Sequence, residues 1–335
     1  MTTIRIWVYD GILASGVAGP IDVFNVANHL SSREETRGKP APGFTWRVES
    51  LDGRPVRAAS GQSVAVDGKI DASKRADAIL LTAPFVSDMD EFVARREQLS
   101  ALTSALQRQR EAGAVLAAYC TGNYLLAEAG LLNGRAATTH WAMARDFARR
   151  YPGVELRAHE LVIAQDGIVS SGAVTSYLNL AIRLLEMFGG EKLAAATAKL
   201  LLIETNRISQ ASYATLLGEH GHADPLIARA QQRMEATIQE GFQVSDLAAY
   251  LAVSERTLHR RFKQAVGIAP LEYLQNLRIE VAKQLLESRP INLEAVSQRV
   301  GYADLSAFRQ LFRRKTGLSP REYQVRFARV FGNVA

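Results

Sequence analysis

The sequence predicts a doubly wound α/β domain on a parallel sheet, followed by an all-α domain. Three observations carry that expectation. Short apolar, partly β-branched segments alternate with helix-like segments through residues 1–190. From Leu226 onward the alternation stops and short helices with tight glycine turns take over. Positive charge is concentrated in the same region: residues 226–335 hold 17 Lys and Arg against 10 Asp and Glu, and residues 1–225 hold 23 against 24.

The totals agree. A single hydrophobic core rarely grows past ~250–300 residues, so a chain of 335 divides into domains. At 47% hydrophobic and 22% charged, the composition is that of a globular protein. No run of eighteen apolar residues occurs, so no membrane partner is expected. The start, MTTIRIWVYDG, ends its apolar run at Asp10 and reads as a strand rather than a secretory leader. One cysteine cannot form an internal disulfide, which fits a reducing, cytoplasmic setting.

The elements follow in order. Strands are expected at Ile4–Tyr9, Trp46–Ser50, Ala78–Thr82 and Val115–Tyr119. Helices are expected at Ile21–Asn28, Glu91–Ala112 and Gly122–Ala129, with a polar surface loop at Ser31–Pro42. Two more helices, Ser176–Phe188 and Glu191–Asn206, are split by Gly189 and Gly190. The linker is placed at GEHGHADP, residues 218–225. The boundaries are 1–190 for the α/β domain, 191–225 for a helical connector and linker, and 226–330 for the all-α domain.

That last region repeats itself. At an offset of 50, Leu258 answers to Phe308, Phe262 to Phe312, Gly267 to Gly317, Pro270 to Pro320 and Tyr273 to Tyr323. Upstream the offset falls to 49, pairing Leu247 with Val296 and Leu251 with Val300, so one turn carries an extra residue. Each copy reads as helix, tight turn, helix. In the first, Val244–Leu251 precedes the turn and Ser254 caps Glu255–Ala265. Leu258 and Phe262 share its inner face, while Arg256, His259, Arg260 and Lys263 share the outer one. In the second, Asp304 caps, Phe308 and Phe312 anchor, and Ser306, Arg309, Gln310 and Arg313 face out, with Arg314 beside them. Arginine can pair with guanine in a bidentate way and glutamine with adenine; Arg313 and Arg314 are better placed as phosphate clamps. Leu271–Leu286 joins the copies as one helix on the order of 25 Å long at 1.5 Å per residue. It would set two recognition helices about one DNA turn apart. Double-stranded DNA is therefore the expected partner.

Cys120 stands where a strand meets a helix, in VLAAYCTGNYLLAEA. Such an elbow presents a side chain above the strand ends, where open α/β sheets bind ligands, and the helix N-terminus is expected to lower the thiol pKa. Asp22, at an expected helix start, and His140, in ATTHW, complete a conceivable constellation. His220 and His222 have no partners at ligand spacing, so neither a metal site nor a cofactor is expected.

Residues 226–330 resemble the AraC/XylS-type DNA-binding domain through VSERTLHRRFKQAVGIAPLEYLQNLRIEVAKQLL and VGYADLSAFRQLFRRKTGLSPREY. The resemblance implies two helix-turn-helix units, with base reading at Arg256, Arg260, Ser306 and Gln310. Residues 4–190 resemble the PfpI-like domain of the class I glutamine amidotransferase-like superfamily through YDG, AGPIDVFNVAN, YCTGNYLLAEAGLLNGRAATTHW and SSGAVTSYLNLAIRLLE. The sheet would then be flavodoxin-like. Together the two halves look like a GlxA-type transcriptional regulator, which implies a homodimer that engages RNA polymerase.

The expected function is DNA binding of the AraC type controlled by a small metabolite, an amine or amino-acid derivative. Its pocket is assigned to Asp22, Pro84, Phe85, Cys120, Thr121, His140 and Trp141. The alternative is a cysteine-dependent hydrolase, lyase or amidase with Cys120, His140 and Asp22 as catalytic residues. Against it stands LTAPF, where Pro84 has no N–H for an oxyanion. Asn179 also stands where such regulators often carry Asp.

Overall fold

The structure, a computed structural model, describes residues 1–35, 41–86, 88–205, 209–213, 224–288 and 291–328. The chain divides into two compact units, Met1–Gln210 and Ala211–Ala335.

The first unit is built on β1 (Thr2–Trp7), β2 (Phe44–Ser50), β3 (Val56–Arg57), β4 (Ser63–Val64), β5 (Gly68–Lys69), β6 (Ala78–Leu81), β7 (Val115–Tyr119), β8 (Ala136–Ala137), β9 (Glu155–Leu156), β10 (Val162–Gln165) and β11 (Ile168–Ser171). Seven of these form the main sheet, in the order β10-β11-β7-β6-β1-β2-β5. All its pairings are parallel except β10 with β11. Strand β1 is flanked by β2 on one side and β6 on the other, so the topological switch lies between β1 and β6. Ile4, Ile6, Ala78, Leu80, Leu116, Ala117 and Val169 are buried, as strands covered on both faces require. The exception is the edge strand β10, which joins the buried β11 through Asp166 (φ 47°) and Gly167 (φ 68°), a two-residue Asp-Gly turn whose left-handed pair matches strand twist.

The helices of this unit are α1 (Ser15–Glu35), α2 (Met89–Val93), α3 (Arg96–Glu111), α4 (Asn123–Glu128), α5 (Ala144–Arg150), α6 (Tyr177–Gly189) and α7 (Glu191–Leu200). Helix α1 starts six residues before the expected Ile21 and runs through Pro20. Its first turns pack tightly: a Cβ at Gly16 would lie 1.6 Å from the Tyr119 hydroxyl, and one at Gly19 2.4 Å from the Tyr177 ring. The long helix expected at Glu91–Ala112 is two helices, α2 and α3, with Arg95 between them at ψ 57°. Ser31–Glu35, expected as loop, continues α1.

The second unit holds α8 (Pro225–Ala236), α9 (Val244–Tyr250), α10 (Glu255–Val266), α11 (Pro270–Ser288), α12 (Leu293–Arg299), α13 (Leu305–Thr316) and α14 (Pro320–Phe327). The repeat is visible in its details. Ser254 and Asp304 cap α10 and α13 through their side chains, and Gly267 and Gly317 end them in the left-handed conformation. Pro270 and Pro320 open α11 and α14. Ala252 (φ 56°) and Gly301 (φ 78°) take the same left-handed step in the two turns. Of the linker expected at 218–225, only Asp224 and Pro225 are described, and they open α8; His220 and His222 lie outside the described residues.

Candidate functional site

The elbow comes first. Strand β7 ends at Tyr119, and Cys120 takes a φ of 55°, a left-handed conformation that costs a non-glycine residue roughly 1–2 kcal/mol. Neighbours hold it there. Asn123 Nδ2 donates to the carbonyls of Cys120 (3.0 Å) and Ser171 (2.8 Å). Thr139 Oγ1 donates to the Cys120 carbonyl (3.1 Å), and Thr121 Oγ1 to the Pro84 carbonyl (2.6 Å). Gly122 admits no side chain, since a Cβ there would stand 2.9 Å from the Thr82 carbonyl oxygen. The loop after β6 is itself tied to the end of β1: Phe85 N donates to Gly11 O (2.9 Å), and Ile12 bridges Pro84. The strand ends on both sides of the switch point are thus one braced platform.

The chemistry at this platform differs from expectation. Cys120 is buried, and burial pushes its thiol up to about 11, only partly offset by hydrogen bonds from Thr121. The expected lowering by the helix N-terminus is overturned, because desolvation outweighs the partial charge of a six-residue α4. His140 is half-buried, and burial holds its pKa below the usual imidazole range. Its Nδ1 accepts from Ala142 N (3.1 Å) and caps the short turn Trp141–Met143, while its ring lies 5.3 Å from that of Trp141. Asp22 is exposed, in the third turn of α1 rather than at a helix start. No hydrogen bond joins Cys120 to His140 or Asp22. Pro84 and Thr121 are buried, Trp141 is half-buried, and Phe85 is 65% exposed. Cys120 and Thr121 are thus closed to solvent, and Phe85, His140 and Trp141 offer accessible surface. Among the described residues no three His, Cys, Asp or Glu side chains converge as a metal set.

A testable consequence follows from the thiol. With a pKa of about 11, roughly one molecule in a thousand carries thiolate at pH 8, so iodoacetamide should label native Cys120 far more slowly than the unfolded chain. The folded form keeps its proton where the unfolded thiol loses it. Stability is therefore fully present below about pH 8.5 and falls as pH rises toward about 11. Labelling as fast as a free thiol at pH 8 would contradict the burial.

Sequence reasoning missed Gln210. It is fully buried; its Nε2 donates to the carbonyls of Thr139 (2.8 Å) and Ala158 (2.7 Å), and its backbone N–H to His159 O (2.9 Å). It packs on Gly172, where a Cβ would lie 2.5 Å from the amide. Thr139 thus links the elbow to the last residue of the first unit. No local pattern announces this, since the partners are dozens of residues apart. Elsewhere, a groove of about 440 Å³ is lined by Glu160, Asn179, Arg183, Glu186, Glu191 and Thr205, among others. Asn179 Nδ2 there donates to the Glu204 carbonyl (3.0 Å), and Arg183 pairs with Glu186 (2.6 Å).

In the second unit, Leu258, Phe262 and Val266 bury one face of α10, and Phe308, Leu311 and Phe312 one face of α13. Arg256, His259, Arg260 and Lys263 are exposed on α10; Ser306, Arg309, Gln310, Arg313 and Arg314 are exposed on α13. Among the described residues, none of these Arg and Lys side chains makes an ion pair. The contrast is Arg261, whose guanidinium grips Asp224 (2.5 and 2.9 Å), the cap of α8. The sequence distinguishes Arg260 from Arg261 only by helical phase.

Against known proteins, residues 3–187 match the DJ-1/PfpI family model and residues 247–326 a helix-turn-helix domain model. The chain is 28% identical over 314 residues to the HTH-type transcriptional regulator GbdR of Pseudomonas aeruginosa, covering 93% of this chain and 81% of that one. It is 31% identical over 223 residues to the HTH-type transcriptional regulator ArgR of the same organism, covering 66% and 68%. Among solved structures, Drosophila melanogaster DJ-1beta superposes with a TM-score of 0.50 at 18% identity, over 61% of this chain and 98% of that one, a likeness of fold.

Proposed function

Since the chain belongs to the DJ-1/PfpI family through its first unit and is an AraC-type transcriptional regulator through its second, we propose that a small molecule bound by the α/β unit controls its grip on DNA. The single observation that carries the DNA half is the set of exposed, unpaired cations on α10 and α13. Burying Leu258, Phe262, Phe308 and Phe312 forces those side chains outward, where phosphates can neutralise them. In this reading Arg256, Arg260, Ser306 and Gln310 meet base edges. His259, Lys263, Arg309, Arg313 and Arg314 hold the backbone.

The effector reading rests on the braced platform at the strand ends. Phe85, His140 and Trp141 supply aromatic surface for an amine or amino-acid derivative; Pro84, Cys120 and Thr121 form the floor, and Asp22 lies on α1. A second placement, in the groove beside Arg183 and Glu191, is favoured by its volume. Cys120 has no catalytic duty here. Its high thiol pKa and the engagement of His140 Nδ1 with Ala142 support that reading over a hydrolase. The protein would act in the cytoplasm as a dimer that contacts RNA polymerase. An effector shifts the equilibrium only if it binds the two states unequally.

The test uses the full chain and a duplex selected by it from a random library. Thermal-shift screening against amino acids and quaternary amines should find a compound that also changes duplex affinity. Trp141→Ala should abolish that response if the platform is the site, and Glu191→Gln if the groove is. Cys120→Ala should leave duplex binding and the response intact. A response lost in Cys120→Ala together with measurable turnover of the compound by the wild-type chain would establish the enzyme reading instead.

A further inference from the structure

The two helix-turn-helix units have separate cores. One gathers Ile227, Leu247, Leu258, Phe262, Leu274 and Leu277; the other gathers Ile279, Ala282, Val296, Phe308, Phe312 and Tyr323. Helix α11 serves both, and the change from one core to the other falls between Leu277 and Ile279. Arg278 occupies that position. It is buried, with 8% of its surface exposed, an unusual place for an arginine.

Its partners explain the burial. Arg278 Nε donates to the carbonyl of Ile238 (3.0 Å), and one terminal nitrogen to that of Glu240 (2.6 Å). Both carbonyls belong to the turn between α8 and α9, in the first helix-turn-helix unit. The same guanidinium lies 5.2 Å from the ring of Tyr302, in the turn between α12 and α13 of the second unit. Tyr302 is fixed there: Ser297 Oγ donates to its carbonyl (2.9 Å), and its ring meets that of Phe308. Gly301, next to it, approaches so closely that a Cβ would stand 2.5 Å from Ile238 O and 2.6 Å from an Arg278 terminal nitrogen. The matching turn residue of the first unit is an alanine, Ala252, also at positive φ (56°). Conformation alone therefore tolerates a side chain at this step; the space beside Arg278 does not.

We propose that Arg278 is a positioning residue that locks the rotation of the two helix-turn-helix units about α11, and so sets the spacing of the two DNA half-sites the chain accepts. The proposal rests on the reading that both α10 and α13 enter DNA grooves. A single helix joining two cores leaves torsion between them to be resisted by whatever bridges the cores. Arg278 bridges them with directed bonds to one side and a ring face on the other. A further polar tie, from α13 to the first-core end of α11, is Lys315 to Glu272 at 3.4 Å, whose carboxylate is nearly half exposed and contributes little. Guanidinium geometry matters, since a lysine ammonium cannot span both carbonyls and also lie flat on the tyrosine.

The experiment compares two duplexes: the one the full wild-type chain selects from a random library, and the same duplex with one base pair inserted between the half-sites. The insertion rotates one half-site by about 35° relative to the other. Wild type should lose at least tenfold in affinity on insertion. Arg278→Met, which keeps the apolar stem, should lose less than threefold, with Arg278→Lys in between. Tyr302→Leu should also relax the discrimination, and it keeps the test available if Arg278→Met does not fold. If the variants bind both duplexes more weakly but with the wild-type ratio, Arg278 is only structural and the proposal fails. If wild type tolerates the insertion, the locked geometry fails. If wild type selects no duplex at all, the DNA reading falls and takes this proposal with it.

Discussion

Replacing Arg260 with alanine should weaken binding to the selected duplex by about 1–3 kcal/mol, roughly five- to 150-fold, and blur preference at one base position. Arg260 lies exposed on α10, with no acidic partner to release before it meets DNA. Its helix is held from behind by Leu258 and Phe262, both fully buried, so the guanidinium projects from a rigid base. Two comparisons separate base reading from charge. Arg313→Ala on α13 should weaken selected and scrambled duplexes alike and lower the salt dependence by about one counterion. Arg261→Ala, one position from Arg260, should act through folding, because Arg261 is spent on Asp224 at the cap of α8. Measured by fluorescence anisotropy over a salt series, equal losses on selected and scrambled DNA for Arg260→Ala would assign it to the backbone instead.

The largest stability effect is expected at Arg5, on β1. Its side chain is 4% exposed, and two of its nitrogens meet Glu49 on β2 at 2.6 Å, itself 5% exposed. A third nitrogen donates to the carbonyls of Asp71 and Lys74, both at 2.7 Å. Arg5→Met removes the buried cation and leaves the buried Glu49 carboxylate only the longer, exposed pairing with Arg47 at 3.6 Å, which costs about 3–5 kcal/mol. The double variant Arg5→Met with Glu49→Gln removes the charge along with its partner and should recover much of that loss. Chemical denaturation of the full chain would show the transition of the α/β unit moving to lower denaturant while that of the helical unit stays. A loss under 1 kcal/mol would mean that Glu49 finds other solvation.

How much was legible in the sequence depends on how far apart the partners are. The four expected strands follow from short apolar runs and the amphipathic helices from spacings of three and four residues, while the helical repeat shows as self-similarity at an offset of 50. The caps Ser254 and Asp304 act on amides two or three residues away, so they too were within reach. The hairpin of β10 and β11 was equally local, and its Asp166-Gly167 signal went unread. The early start of α1 is a different case. Local propensity disfavours Gly16 and Gly19 in a helix, and only the rings of Tyr119 and Tyr177 packed against them explain their presence.

At the site the division is the same. That Cys120 stands at a strand-to-helix turn was readable from the residues around it. That its thiol is buried, and by that desolvation hard to ionise, was decided by packing of segments distant in the chain, with Pro84, Thr139 and Ser171 tied to the residues of the elbow.

Periodicity and charge by themselves determined that this chain ends in two helices with apolar backs and cationic fronts, because amphipathic spacing acts within one turn of helix. Only the tertiary structure decided which cations stay free, which are consumed in caps and bridges, and that Arg278 touches the turns of both helix-turn-helix units. Burial and pairing are set by residues brought together from opposite ends of a domain, and spacing along the chain carries no record of that meeting.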